Sequence, residues 1–138
     1  MSVGVVIVTH YRLGEEFMQV LRLIVPDAPN YRTVGVDPKQ SVDELRDTIS
    51  TALRASDTGS GVLVLTDMFG GTPSNISLSF HDEHHVEVVT GMNLPMLIKL
   101  ATLREEKPLE ELAASIREYG QRNISVASEL LPRKSGDA

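Results

Sequence analysis

Hydrophobic and polar positions along the chain alternate between two periods. The opening run Val3-Gly4-Val5-Val6-Ile7-Val8 is short, continuous and rich in β-branched residues. That pattern reads as a strand buried on both faces, as in a parallel sheet. A polar turn, Tyr11-Arg12-Leu13-Gly14, leads into a helical pattern over about residues 15–25. Its inner face is read as Phe17, Val20, Leu21 and Ile24, with acids in the first turn. Pro26 to Asn30 end it, and residues 31–36 read as a second strand. Ser41 and Glu44 have capping-box spacing, and the helix they open points Val42, Leu45, Ile49 and Leu53 inward.

The rhythm continues to the end. Gly59-Ser60-Gly61 leads into a third buried strand, Val62-Leu63-Val64-Leu65. Thr72 suits an N-cap and Pro73 the first helical position, so a helix is expected from there to about Phe80. A polar turn, His81-Asp82-Glu83-His84-His85, precedes a fourth strand over residues 86–89. Leu94-Pro95 opens a helix to about Leu103. Pro108 opens another, with a stripe of Leu109, Leu112, Ile116 and Tyr119. Residues 123–131 read as a last strand. The chain is therefore one domain over residues 1–131, with a polar tail at 132–138 expected to be disordered.

Strand and helix alternation implies an α/β, doubly wound, mainly parallel sheet with helices on both faces. By analogy with flavodoxin-like folds, the strand order would be 2-1-3-4. The first and third strands would then be neighbours, with the topological switch point at their carboxyl ends. His10 and Asp67 would face each other there.

Composition narrows the function. Aromatics are only 4 % of residues, so aliphatic side chains must fill the core. The net charge of −6, without a Lys/Arg run, argues against a nucleic-acid partner. There is no cysteine, which excludes disulfides and thiolate chemistry and accords with a cytoplasmic location. Neither a signal peptide nor a long apolar stretch is apparent, so no direct membrane insertion is expected.

The candidate chemistry sits after the first and third strands. An aspartate bonded to one imidazole nitrogen fixes the tautomer and leaves the other nitrogen free as a nucleophile. Gly70-Gly71 lets backbone approach a ligand closely. The helix start at Thr72-Pro73 offers unpaired N–H groups to an anion. Together these point to phosphoryl transfer through phosphohistidine. Each part also has a plain reading. A lone histidine after a strand commonly serves a structural hydrogen bond, Asp67 could close a turn, and Gly70 to Pro73 could be a turn and a cap. Met68 and Phe69 read as core or as exposed apolar contacts for a partner. A receiver-like domain phosphorylated on Asp67 fits less well, because the first strand ends in Thr9-His10 rather than in an acidic pair for Mg²⁺. The histidine-rich stretch at 81–85 reads as a solvated turn at the far end of the sheet, not as a metal site.

Taken together, these residues resemble the mannose-type EIIA component of the bacterial phosphoenolpyruvate-dependent sugar phosphotransferase system. The carriers are Thr9-His10, the stretch Leu65-Thr66-Asp67-Met68-Phe69-Gly70-Gly71-Thr72-Pro73-Ser74-Asn75, and Thr90-Gly91-Met92-Asn93-Leu94-Pro95-Met96-Leu97. The resemblance covers about residues 1–131. It implies that His10 takes a phosphoryl group from phospho-HPr and passes it to an EIIB protein, with Asp67 orienting the ring. Thr72 would help hold the phosphoryl group, aided by amides around Gly70 and Gly71, with Thr66 beside them. It further implies a homodimer that exchanges a C-terminal antiparallel strand, here residues 123–131, and no cofactor. Many relatives carry Gly directly after the histidine, where this chain has Tyr11, which could narrow access or add a docking contact with Met68 and Phe69. Residues 132–138 are too few for an EIIB domain, so a separate acceptor is expected. A regulatory phosphorelay without sugar transport is the alternative.

Overall fold

The computed structural model describes residues 2–132. Four strands, β1 (Gly4–His10), β2 (Arg32–Val36), β3 (Val62–Thr66) and β4 (Val86–Thr90), form one all-parallel sheet in the order β2-β1-β3-β4. Helices α1 (Leu13–Ile24), α2 (Val42–Ser56), α3 (Thr72–Leu78), α4 (Leu94–Thr102) and α5 (Leu109–Arg122) cover it. The sheet has two cores because successive side chains of a strand point to opposite faces. Val5, Ile7, Leu63 and Leu65 pack with α1, α4 and α5 through Met18, Leu21, Leu97, Leu112 and Ile116. Val6, Val8, Val62 and Val64 pack with α2 and α3 through Leu45, Ile49, Leu53 and Ile76, and with Phe80 in the turn after α3. No helix among the described residues is long and apolar enough to cross a membrane.

The expected strand order and alternation are what the structure has, but several local readings differ from it. Helix α1 starts at Leu13, and its buried residues are Gly14, Met18 and Leu21. Val20 and Ile24 are 40 % and 50 % exposed, and Phe17 is only half-buried. The cause lies in the first turn. The hydroxyl of the fully buried Thr9 accepts the Gly14 N–H at 2.8 Å. A Cβ on Gly14 would come within 3.1 Å of Ile7 Cγ2. Gly14 is thus pressed onto β1, and the inward stripe follows at the helical spacings of four and seven. In α2, Ser41 Oγ accepts the Glu44 N–H at 3.1 Å, yet Val42 stands exposed, one turn ahead of the packed stripe Leu45, Ile49 and Leu53. In α3 the N-cap is Gly71 rather than Thr72. The Gly71 carbonyl accepts the Asn75 N–H at 2.9 Å, so Thr72 is already helical.

Residues 123–131 do not form a strand within the chain. They run into a short 3₁₀ turn, Ala127–Leu130, with Ile124, Val126, Leu130 and Leu131 exposed. A strand needs a neighbour for its backbone groups, and no segment among the described residues pairs with the outer edge of β4. Apart from Pro132, the polar tail lies outside the described residues.

Candidate active site

The site lies where the chain order reverses, at the carboxyl ends of the two inner strands. Val8 pairs with Thr66, so β1 runs on past the end of β3 and brings His10 alongside Asp67. His10 Nδ1 lies 2.8 Å from Asp67 Oδ2. The same oxygen accepts the His10 backbone N–H at 3.0 Å, and Oδ1 accepts the Met68 N–H at 3.1 Å. A carboxylate can only accept, so the ring proton belongs on Nδ1 and the lone pair on Nε2. Burial pushes the Asp67 carboxyl upward. The hydrogen bonds from the His10 ring and amide, with the attraction of the imidazole, outweigh it and hold the group below its ordinary value. Asp67 is therefore an anion that orients and balances the ring.

The free edge of the imidazole faces Gly71. A Cβ there would sit 2.9 Å from His10 Cε1 and 3.3 Å from Nε2. Any other residue would crowd Nε2, the ring nitrogen left with the lone pair. Gly70 has φ +86°, and open space surrounds its missing Cβ. Its N–H is engaged by Ser74 Oγ at 3.3 Å, and its carbonyl accepts from Asn75 Nδ2 at 3.4 Å. Those two bonds tie the loop to the helix it opens, so Gly70 is a hinge of the loop with its amide already used. Thr66 is fully buried beneath the loop, its hydroxyl 3.5 Å from the Met68 carbonyl, and its own carbonyl accepts the Met92 N–H at 3.0 Å. Thr72 follows Gly71 directly, exposed, in the first turn of α3.

Three large apolar side chains stand exposed in the two loops that carry His10 and Asp67: Tyr11 at 61 %, Met68 at 53 % and Phe69 at 71 %. Tyr11 has φ +45°, the left-handed region that glycine occupies freely and bulky residues avoid. The chain is held in this turn by the Tyr11 N–H, which donates to the Val36 carbonyl at 2.9 Å. A glycine would occupy this conformation without strain.

The structure thus brings together His10, Asp67 and Gly71, sets Thr66 below them, and leaves Tyr11, Met68 and Phe69 outside. Sequence reasoning missed Thr9 and Ser74, both fully buried hydroxyls that hold the two loops. Their polar character at strand and helix ends was the only signal. Among the described residues no group of three or more His, Cys, Asp or Glu is placed to hold a metal ion. In the 81–85 turn His85 instead approaches Glu110 of α5, with Nε2 3.2 Å from Oε1.

The match to a family model decides the identification. Residues 4–117 fit the EIIA-man model, described as the PTS system fructose IIA component. The chain belongs to the EIIA-man family. Its relatives include the PTS system mannose-specific EIIAB component of Escherichia coli K12, 30 % identical over 126 residues. That alignment takes in 90 % of this chain but 39 % of the relative, so the chain spans about two fifths of that protein's length. The PTS system sorbose-specific EIIA component of Lacticaseibacillus casei is 28 % identical, with 91 % of each chain covered. Among solved structures, the mannose/sorbose specific IIA subunit of the phosphotransferase system from Enterococcus faecalis superposes with a TM-score of 0.85. It is 26 % identical, covering 98 % of this chain and 100 % of that one. The EIIA-man fold is therefore shared over the whole described domain.

Proposed function

We propose that this EIIA-man protein is a phosphoryl carrier that accepts phosphate from phospho-HPr on His10 and hands it to a separate EIIB protein. The observation that carries the reading is the contact between His10 Nδ1 and Asp67 at 2.8 Å, with Nε2 turned to the glycine backbone at residue 71. In the first half-reaction the Nε2 lone pair attacks phosphorus. The bond to the donor breaks, and its electron pair returns to the donor. The Nδ1 proton stays on the Asp67 side, and the carboxylate balances the charge that the ring acquires. The second half-reaction is the reverse displacement, with the EIIB nucleophile attacking. The Gly71 backbone and the Thr72 hydroxyl are the groups we assign to hold the phosphoryl oxygens, and no cofactor is required.

Tyr11, Met68 and Phe69 are the contacts we assign to partner docking, because exposed apolar side chains rimming a reactive group favour a protein surface that can cover them. A homodimer in the cytoplasm is part of the same reading. Helix α5 ends beside Asn93, whose Nδ2 donates to the Gly120 carbonyl at 3.0 Å. The chain therefore leaves α5 at the carboxyl pole of the sheet. From there residues 124–131 can run antiparallel along the free edge of β4 of a second copy.

The test is label transfer. With phosphoenolpyruvate, the general phosphotransferase enzyme and HPr, wild type should take up label and His10→Ala should take up none; equal labelling would overturn the reading. Labelled protein should then lose its phosphate to an EIIB from the same source. Retention of label with every EIIB, alongside capture of another protein that depends on the label, would move the role to regulation.

A further inference from the structure

The amino pole of the sheet, opposite His10, holds a cavity of about 520 Å³, within the size range of small-molecule sites. It opens between the starts of β1 and β2, the end of α4 and the start of α5. Its floor is apolar and continuous with the core, through Val5, Leu100 and Leu112, all at least nine-tenths buried. Around that floor stand Tyr31, Arg32, Arg104 and Lys107, with Glu105 and Glu106.

The polar groups are not matched to one another. Lys107 is half-buried, yet no carboxylate among the described residues lies in ion-pair range of it, nor of Arg32 or Arg104. The Tyr31 side chain is also half-buried, and no hydrogen bond engages its hydroxyl among the described residues. Burial pushes that phenol up to about 12, so it remains a neutral O–H donor. Glu105 and Glu106 are both exposed and free to face water. Neither donor atom is sealed from water, so an acceptor that enters the cavity replaces solvent on both.

We infer that this cavity binds a small molecule with an apolar body and one anionic head, the body on the Val5, Leu100 and Leu112 floor and the head accepting from Tyr31 and Lys107. Three cations against two acids give the rim a local positive excess on a chain whose net charge is −6. An uncharged analogue offers these donors only a neutral acceptor, without attraction to the Lys107 charge, and a cationic one is repelled by it. The site stands apart from phosphoryl transfer and does not depend on that role.

The test tracks backbone amide shifts of the full chain on titration with benzoate, phenyl phosphate, benzamide and benzylamine. Benzoate or phenyl phosphate should give saturable shifts at Tyr31, Leu103 and Lys107 and leave Gly71 unmoved. Whichever binds more tightly distinguishes a carboxylate head from a phosphate head. Lys107→Gln and Tyr31→Phe should each weaken that ligand about tenfold. Both should retain the wild-type spectrum elsewhere and normal labelling of His10. Benzamide or benzylamine binding as tightly as the anions, no saturable shift with either anion, or unchanged affinity in both variants would each overturn the proposal.

Discussion

Gly71 shows how much of this site depends on the absence of a single carbon. Its backbone is ordinary, with φ −86°, so nothing in its own conformation demands glycine. The demand comes from across the gap, where His10 would lie 2.9 Å from a Cβ. Gly71→Ala should therefore displace the ring and slow labelling roughly tenfold to a hundredfold while the protein stays folded; a stopped-flow or quench measurement of the labelling rate checks this. Asp67→Asn should slow transfer by about tenfold or more, since an amide can present its N–H to Nδ1 and favour the wrong tautomer. The same variant has a pH signature. The Asp67 carboxyl is held below its ordinary value in the folded chain. Its contribution to stability is thus fully present above the ordinary carboxylate range and is lost as pH falls through the folded value. Urea unfolding should show wild type more stable than Asp67→Asn at pH 6 and the gap narrowing by pH 3. A constant gap would mean that the charge of Asp67 contributes nothing to stability.

At the scale of elements, the loops are fixed by close approaches between neighbouring strands. A Cβ on Gly35 of β2 would lie 2.2 Å from the Tyr11 carbonyl oxygen, a backbone atom that cannot swing aside. Gly35→Ala should accordingly cost roughly 1–3 kcal/mol in chemical denaturation, because the turn after β1 has to move. The strands were legible in the sequence because continuous β-branched runs leave few alternatives, whereas their order came by analogy with flavodoxin-like folds, and the His10–Asp67 pairing followed from that order. The face of α1 was not. Its apolar residues are spread around the helix, and only the pressing of Gly14 against Ile7 and Thr9 selects Met18 and Leu21 over Val20 and Ile24. The steric role of Gly71 was equally hidden, since contact with a residue sixty-one positions away (71 minus 10) has no local trace.

For the whole molecule, neither outer edge of the sheet, β2 or β4, pairs with another strand among the described residues, and an apolar segment after α5 stands exposed. Val126 and Leu130 are 61 % and 73 % exposed, so replacing both by Asp should leave the fold of one chain intact. Under the dimer reading the same change should abolish association, because charges would fall on the exchanged strand. Sedimentation velocity should show wild type as a dimer and the double variant as a monomer with unchanged circular dichroism. Two equal dimers would place the interface elsewhere.

The double grip of Asp67 Oδ2 on His10 has a kinetic meaning. One oxygen holds both the ring and the main chain of the same residue, so the imidazole is a fixed post and not a swinging arm. It cannot reach out to one carrier and then turn to another. Under the proposed carrier role, donor and acceptor must each bring the reacting group to the same nitrogen, and the two cannot occupy that position together. In that role they are mutually exclusive visitors, and an excess of either one should inhibit the traffic of the other.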